Sequence, residues 1–145
     1  MDKARYPRSP KLRLGGIAHL GRLIDKIRLR HAGYIQDYNY LTVGFDKYLL
    51  DLLALSSDEL ERQVLQGGSD NEIVQWVKTH GRVLSDEEVR DWNDRIVTSG
   101  PKDDAARRRF QGRLSDIAAK RGVPVESLPS VSTWADVIEL DEDRL

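Results

Sequence analysis

A chain of 145 residues with 39% hydrophobic and 32% charged side chains has the size and composition of one ordinary globular domain. It contains no cysteine, which excludes disulfides, cysteine nucleophiles and thiolate-ligated metal sites. The net charge of −1 conceals an asymmetry, because residues 1–31 hold nine lysines and arginines against Asp2 and Asp25, a net of +7 that leaves −8 for the remainder.

Pro7, Pro10, Gly15 and Gly16 interrupt regular structure and predict an extended arm over residues 1–18. Met1 to Arg8 lacks the apolar centre of a leader, and no run is apolar over the length of a membrane span, so a cytoplasmic protein with no membrane contact is expected. From Leu20, the positions Leu20, Leu23, Ile24, Ile27 and His31 follow the spacing of one helix face, with Gly33 as the stop. Tyr34 to Gly44 is rich in Tyr, Ile, Leu and Val, favours extended backbone and admits a short hairpin. Phe45 to Leu55 then predicts a second helix with a broad apolar side.

Three capping boxes follow, Ser56 with Glu59, Ser69 with Glu72 and Ser85 with Glu88. They predict three helices that end at Gly67-Gly68, at Gly81 and before Gly100-Pro101. Asp103 or Asp104 caps a further helix that stops at Gly122, and Ser132 or Thr133 caps a last short one before an acidic tail over 141–145. The expected fold is mainly α, a single compact domain of about six to seven short helices over 19–140.

Several strings carry a resemblance: Pro7-Arg8-Ser9-Pro10, His19-Leu20 with Arg22 and Ile24-Asp25-Lys26, Asp37-Tyr38 with Tyr40, Trp76-Val77 with His80-Gly81-Arg82, Trp92-Asn93 with Arg95, and Thr133-Trp134 before the acidic end. As a set, over Pro7 to Leu145, they resemble an uncharacterised family of small bacterial proteins catalogued as a domain of unknown function. The resemblance implies a compact bacterial cytosolic domain and carries over no activity and no catalytic residue.

The richest stretch chemically is Arg13 to Tyr48. Free N–H groups and the positive end of the first helix dipole suit an anion, with Gly15, Gly16 and Gly21 allowing close approach and Arg13, His19, Arg22 and Lys26 binding phosphate or carboxylate. Tyr38 and Tyr40 complete the candidate ligand set. The spacing is that of neither a P-loop nor a dinucleotide fingerprint. The opposing reading makes the glycines turn residues, His19 a helix cap and Arg22 a partner of Asp25, with the basic residues paired to acids such as Asp136, Glu139, Asp141, Glu142 and Asp143.

A second arrangement assigns His19, Asp25 and Tyr38 acid, base and orienting roles in a small enzyme, which requires them to converge. His19, His31 and His80 lack metal-ligand spacing, so neither metal nor cofactor is expected. His80 and Arg82 suit the negative pole of a helix, and Trp76, Trp92 and Trp134 suit the core. Leu60 to His80 superficially suggests helix-turn-helix, but the second helix opens with Ser69-Asp70-Asn71-Glu72, whose carboxylates face phosphate poorly. The leading expectation is a non-enzymatic interaction domain whose basic arm and first helix hold an acidic protein or small anion. Nucleic-acid binding through residues 3–30 is the third reading.

Overall fold

The computed structural model describes residues 6–145. Lys3 and Arg5, part of the basic N-terminal charge, lie outside the described residues. Among those described, two short strands and seven α-helices follow in order: β1 (Arg13–Leu14), β2 (Ile17–Ala18), α1 (Leu20–His31), α2 (Gly44–Leu53), α3 (Ser57–Leu65), α4 (Asp70–His80), α5 (Asp86–Thr98), α6 (Asp104–Arg121) and α7 (Trp134–Asp141), with a 3-10 turn at Val125–Ser127. The protein is mainly α, and none of these helices is long and apolar enough to cross a membrane.

The helix starts follow from local chemistry. Ser56, Ser69, Asp103 and Thr133 each accept a hydrogen bond from the third amide of α3, α4, α6 and α7. At Ser69 and at Ser85, before α5, the later glutamate also accepts from the serine amide, which completes the box. Gly122 ends α6 in the left-handed conformation.

The hairpin lies elsewhere than expected. β1 and β2 pair antiparallel, with Leu14 opposite Ile17, around the two-residue turn Gly15-Gly16, both at positive φ (61° and 82°). The end of the expected arm is therefore regular structure, and Pro7, Ser9 and Pro10 before it are buried. Residues 34–43 form turns and bends instead of a hairpin, with Ile35 and Leu41 at positive φ. Their aromatic residues serve side-chain contacts with α1 and α3, described below, in place of cross-strand pairs.

By its internal contacts the chain groups into two compact units, Met1–Asn93 and Asp94–Leu145, with the boundary inside α5. The second has its own core, Phe110, Ile117, Val137 and Leu140, with Leu114, Leu128, Val131 and Trp134 against it. The expected acidic tail belongs to this unit: Asp141 ends α7 and receives Lys120, and Arg144 joins Glu139 and Glu142.

The first unit is built around α1, in which Leu20, Leu23, Ile24 and Ile27 are fully buried and Arg22 and Lys26 are buried with them. The burial extends beyond the single apolar stripe. Hydrogen bonds across 74 and 75 residues lock the hairpin to α5, since Trp92 Nε1 donates to Ala18 O at 2.9 Å and Ala18 N donates to Asn93 Oδ1 at 2.8 Å. Asn93 Nδ2 in turn donates to Gly16 O at 3.0 Å. At the end of α4, Arg82 N donates to Leu53 O at 2.7 Å, and a Cβ on Gly81 would stand 2.9 Å from the same carbonyl oxygen. Glycine there permits the close approach of two backbones.

The Gly15 turn gives a direct test. A Cβ at Gly15 would meet Val74 Cγ1 at 2.6 Å as well as the positive φ, whereas one at Gly16 would meet nothing within 4 Å. Gly15→Ala should cost about 2–4 kcal/mol, from backbone strain plus overpacking, and Gly16→Ala about 1–2 kcal/mol from strain alone. Thermal denaturation of the two variants checks the order, and equal losses would remove the Val74 contact from the account.

Candidate functional site

The candidate ligand and catalytic residues of the N-terminal stretch are all placed, but they divide into four groups. His19 precedes α1 in the left-handed conformation (φ 72°, ψ −19°) and makes no side-chain cap. Its ring turns inward, 1% exposed, and Nε2 lies 2.6 Å from Asp46 Oδ1, with Phe45 edge-on at 5.6 Å. Lys26, two turns into α1, donates from Nζ to both Asp46 oxygens at 3.2 and 3.1 Å and to Asn39 O at 3.0 Å. Leu41 N donates to Asp46 Oδ2 at 3.0 Å. One buried carboxylate thus joins the start of α1, its middle, the irregular segment and α2.

Burial disfavours charge on both partners, with opposite net results. Desolvation lowers the His19 pKa and outweighs the Asp46 hydrogen bond, so the imidazole is neutral and donates through Nε2–H. Desolvation also opposes the Asp46 charge, but the His19 hydrogen bond, the Lys26 charge and the Leu41 amide outweigh it and hold the carboxyl down at about 2. Nδ1 of His19 has no hydrogen-bond partner among the described residues. With the His19 ring and the Asp46 carboxylate both sealed, the cluster acts as an internal tie.

Asp25 does not join His19. It receives Arg8 Nε at 2.9 Å, Arg8 NH2 at 3.0 Å and the Arg8 amide at 2.9 Å. Arg8 reaches Asp70 at 2.9 Å, where Arg28 also arrives at 2.8 Å. Arg22 donates to Arg8 O at 3.2 Å, and its guanidinium stands 5.9 Å from the Tyr38 ring centroid. The triad of His19, Asp25 and Tyr38 is therefore distributed over separate contacts. Tyr40 forms another cluster: its hydroxyl donates to Glu61, His31 Nε2 lies 3.1 Å from the same carboxylate, and Arg30 sits over the ring at 4.4 Å. The counter-charges of the basic stretch are Asp25, Asp46 and Asp70, whereas Glu139, Asp141, Glu142 and Asp143 pair with Arg113, Lys120, Arg121 and Arg144 in the second unit.

Arg13 and Gly16 have a different setting. They line a cleft of about 560 Å³ between the hairpin turn, α4, the 81–85 segment and α5. Its charged residues are Arg13, Lys78, Arg82, Arg90 and Asp86. Arg82 is held by Glu88 and donates to Leu52 O, but the side chains of Arg13, Lys78, Arg90 and Asp86 have no ionic or hydrogen-bond partner among the described residues. Leu53, Val77 and Val89 supply apolar wall, and Val83 at the edge is 82% exposed. Among the described residues no group of three or more His, Asp or Glu side chains is placed to hold a metal ion.

Of two residues absent from the sequence-based set, Asp46 is legible along a helix face and Lys78 is not. Asp46 falls in line with Leu49, Leu50 and Leu53, the buried side of α2, and a carboxylate on an apolar stripe requires a buried partner. Lys78 follows buried Val77 on the exposed side of α4, and nothing local announces that the hairpin packs beside it.

Asp46→Asn should leave Lys26 buried without a counter-charge and cost about 3–5 kcal/mol, measured by chemical denaturation. Acid provides a second measurement. A lowered His19 pKa means that the unfolded chain takes up the proton first, so stability should fall as pH drops below the ordinary histidine value of 6.5; Asp46 adds a further loss as pH falls from 3.8 towards 2. His19→Gln should flatten the first of these slopes, and an unchanged slope between pH 7 and 5 would assign it to other groups.

No curated protein matches the chain. A family model does match, over residues 4–144, nearly the whole length. The inward histidine, the Arg8 clamp and the basic cleft are thus features of one member of the family described as Domain of unknown function (DUF5069), to which this chain belongs.

Proposed function

We propose that this protein is a non-enzymatic binding domain and that the cleft beside the Gly15-Gly16 turn holds a small anion. One observation carries the reading: Arg13, Lys78 and Arg90, from three different elements, line one cleft without an ion pair among the described residues and outnumber its one unpaired carboxylate, Asp86. Like charges gathered on one surface repel each other and create a field that an anion relieves. The reading keeps Arg13 and Gly16 from the sequence-based ligand set and transfers the task away from α1, whose Lys26 and Arg28 already meet Asp46 and Asp70. A concave site lined partly by apolar side chains suits a small molecule better than an acidic protein face or a nucleic-acid backbone.

Titration of ¹⁵N-labelled protein with citrate and with inorganic phosphate provides the test. The amides of Gly15, Gly16, Lys78 and Arg90 should shift together and saturate, with affinity falling as salt rises. Combined Arg13→Gln and Lys78→Gln substitution should weaken binding at least about tenfold, the equivalent of one charged hydrogen bond. Combined Arg108→Gln and Arg109→Gln, exposed changes in α6 that remove the same two charges, control for net charge and should leave the affinity unaltered. Equal weakening by the control, or shifts spread over every basic residue, would reject the cleft.

A further inference from the structure

We infer that the anion taken by this cleft is a phosphomonoester of a small aliphatic hydroxy compound, with its phosphate toward Arg13, Lys78 and Arg90 and a hydroxyl toward Asp86. The inference rests on the cleft reading above and names the chemistry of its ligand. The first argument is charge. Three cations beside Asp86 leave an excess of +2 in the cleft; a carboxylate meets half of it, whereas a phosphomonoester brings about −1.5 to −2 and three terminal oxygens at neutral pH. Two of the three cations are arginines, whose planar forks match phosphate oxygens in pairs. The third, Lys78, has its Cε 3.7 Å from where a Cβ on Gly15 would stand, so its side chain runs along the hairpin turn.

The second argument is Asp86. It opens α5 one turn before Arg90, an i, i+4 spacing at which acid and base readily pair, yet neither side chain has an ionic partner among the described residues. A carboxylate inside a basic cleft repels a second anionic group. It therefore disfavours diacids and nucleic-acid strands, whose charge continues along the ligand, and favours a molecule charged at one end and able to donate a hydrogen bond further along. Third, the apolar side chains of the cleft wall are Ile17, Leu53, Val77, Val83, Leu84 and Val89, with no aromatic ring. A nucleobase finds no stacking platform there, while a short aliphatic body covers the exposed Val83 side chain.

Calorimetric titration with glycerol 3-phosphate, glycerate, methyl sulfate, adenosine 5′-monophosphate, citrate and inorganic phosphate separates the alternatives. Glycerol 3-phosphate should bind at least about tenfold more tightly than glycerate or methyl sulfate, and more tightly than the nucleotide. Asp86→Asn should weaken glycerol 3-phosphate about tenfold while leaving inorganic phosphate as tight or tighter, a split that loss of fold would not produce. An unaltered melting temperature identifies the folded variant. Equal affinity for the phosphate, sulfate and carboxylate probes would overturn the phosphomonoester and leave the anion cleft standing. A nucleotide that binds more tightly would overturn the aliphatic body. Failure of every probe, citrate and inorganic phosphate included, would reject the cleft itself together with this inference.

Discussion

A carboxylate at 1% exposure is tolerated only when its charge and its lone pairs are met, and Asp46 meets both through Lys26, His19 and the Leu41 amide. These partners come from different parts of the chain, 20, 27 and 5 residues away. Satisfying one buried charge therefore fixes three geometries at once: the entry to α1, the rotation of α1 that turns Lys26 inward, and the path of the segment before α2. Left-handed backbone at His19 and at Leu41 is the local cost, and each strained residue is bonded to the same carboxylate.

The basic character of the N-terminal region is a consequence of that arrangement. Because α1 is buried on most of its circumference, the charges along it and beside it require internal partners, and Asp25, Asp46 and Asp70 provide them. Arg8 bridges two of these aspartates and so ties the segment before the hairpin to α1 and to the first turn of α4. Of the cations behind the +7 of residues 1–31, Arg8, Lys26 and Arg28 are thus committed to a shared set of ion pairs. Arg13 escapes it because the hairpin carries it to the cleft on the other side of the Gly15-Gly16 turn.

What could be read from the sequence follows from range. Ser56, Ser69, Ser85, Asp103 and Thr133 cap helices through contacts three residues away, and those starts are legible in the strings themselves. The ties that determine the site span 17 residues from Arg8 to Asp25, 42 from Arg28 to Asp70 and 75 from Ala18 to Asn93. No periodicity encodes them. The hairpin is an intermediate case, since Gly15-Gly16 between Arg13-Leu14 and Ile17-Ala18 is a two-residue turn signal, masked by the nearby prolines. The tyrosine-rich segment misled in the opposite direction, because β propensity measures packing on a pleated surface and Tyr38 and Tyr40 pack on arginines instead.

Two backbone constraints explain why the uncommitted charge gathers where it does. Asn93 bonds both Ala18 and Gly16, so α5 and the hairpin turn are held side by side, and Gly81 lets the end of α4 approach the end of α2. The remaining space between these fixed backbones is bounded by the residues that point out of them, Arg13 from β1, Lys78 from α4 and Arg90 from α5. Packing alone would favour neutral or alternating charges at such a rim, since surface cations without partners contribute nothing to stability and repel one another. Three cations kept beside a single aspartate are therefore not explained by packing, and that is the ground on which we propose an anion for the cleft.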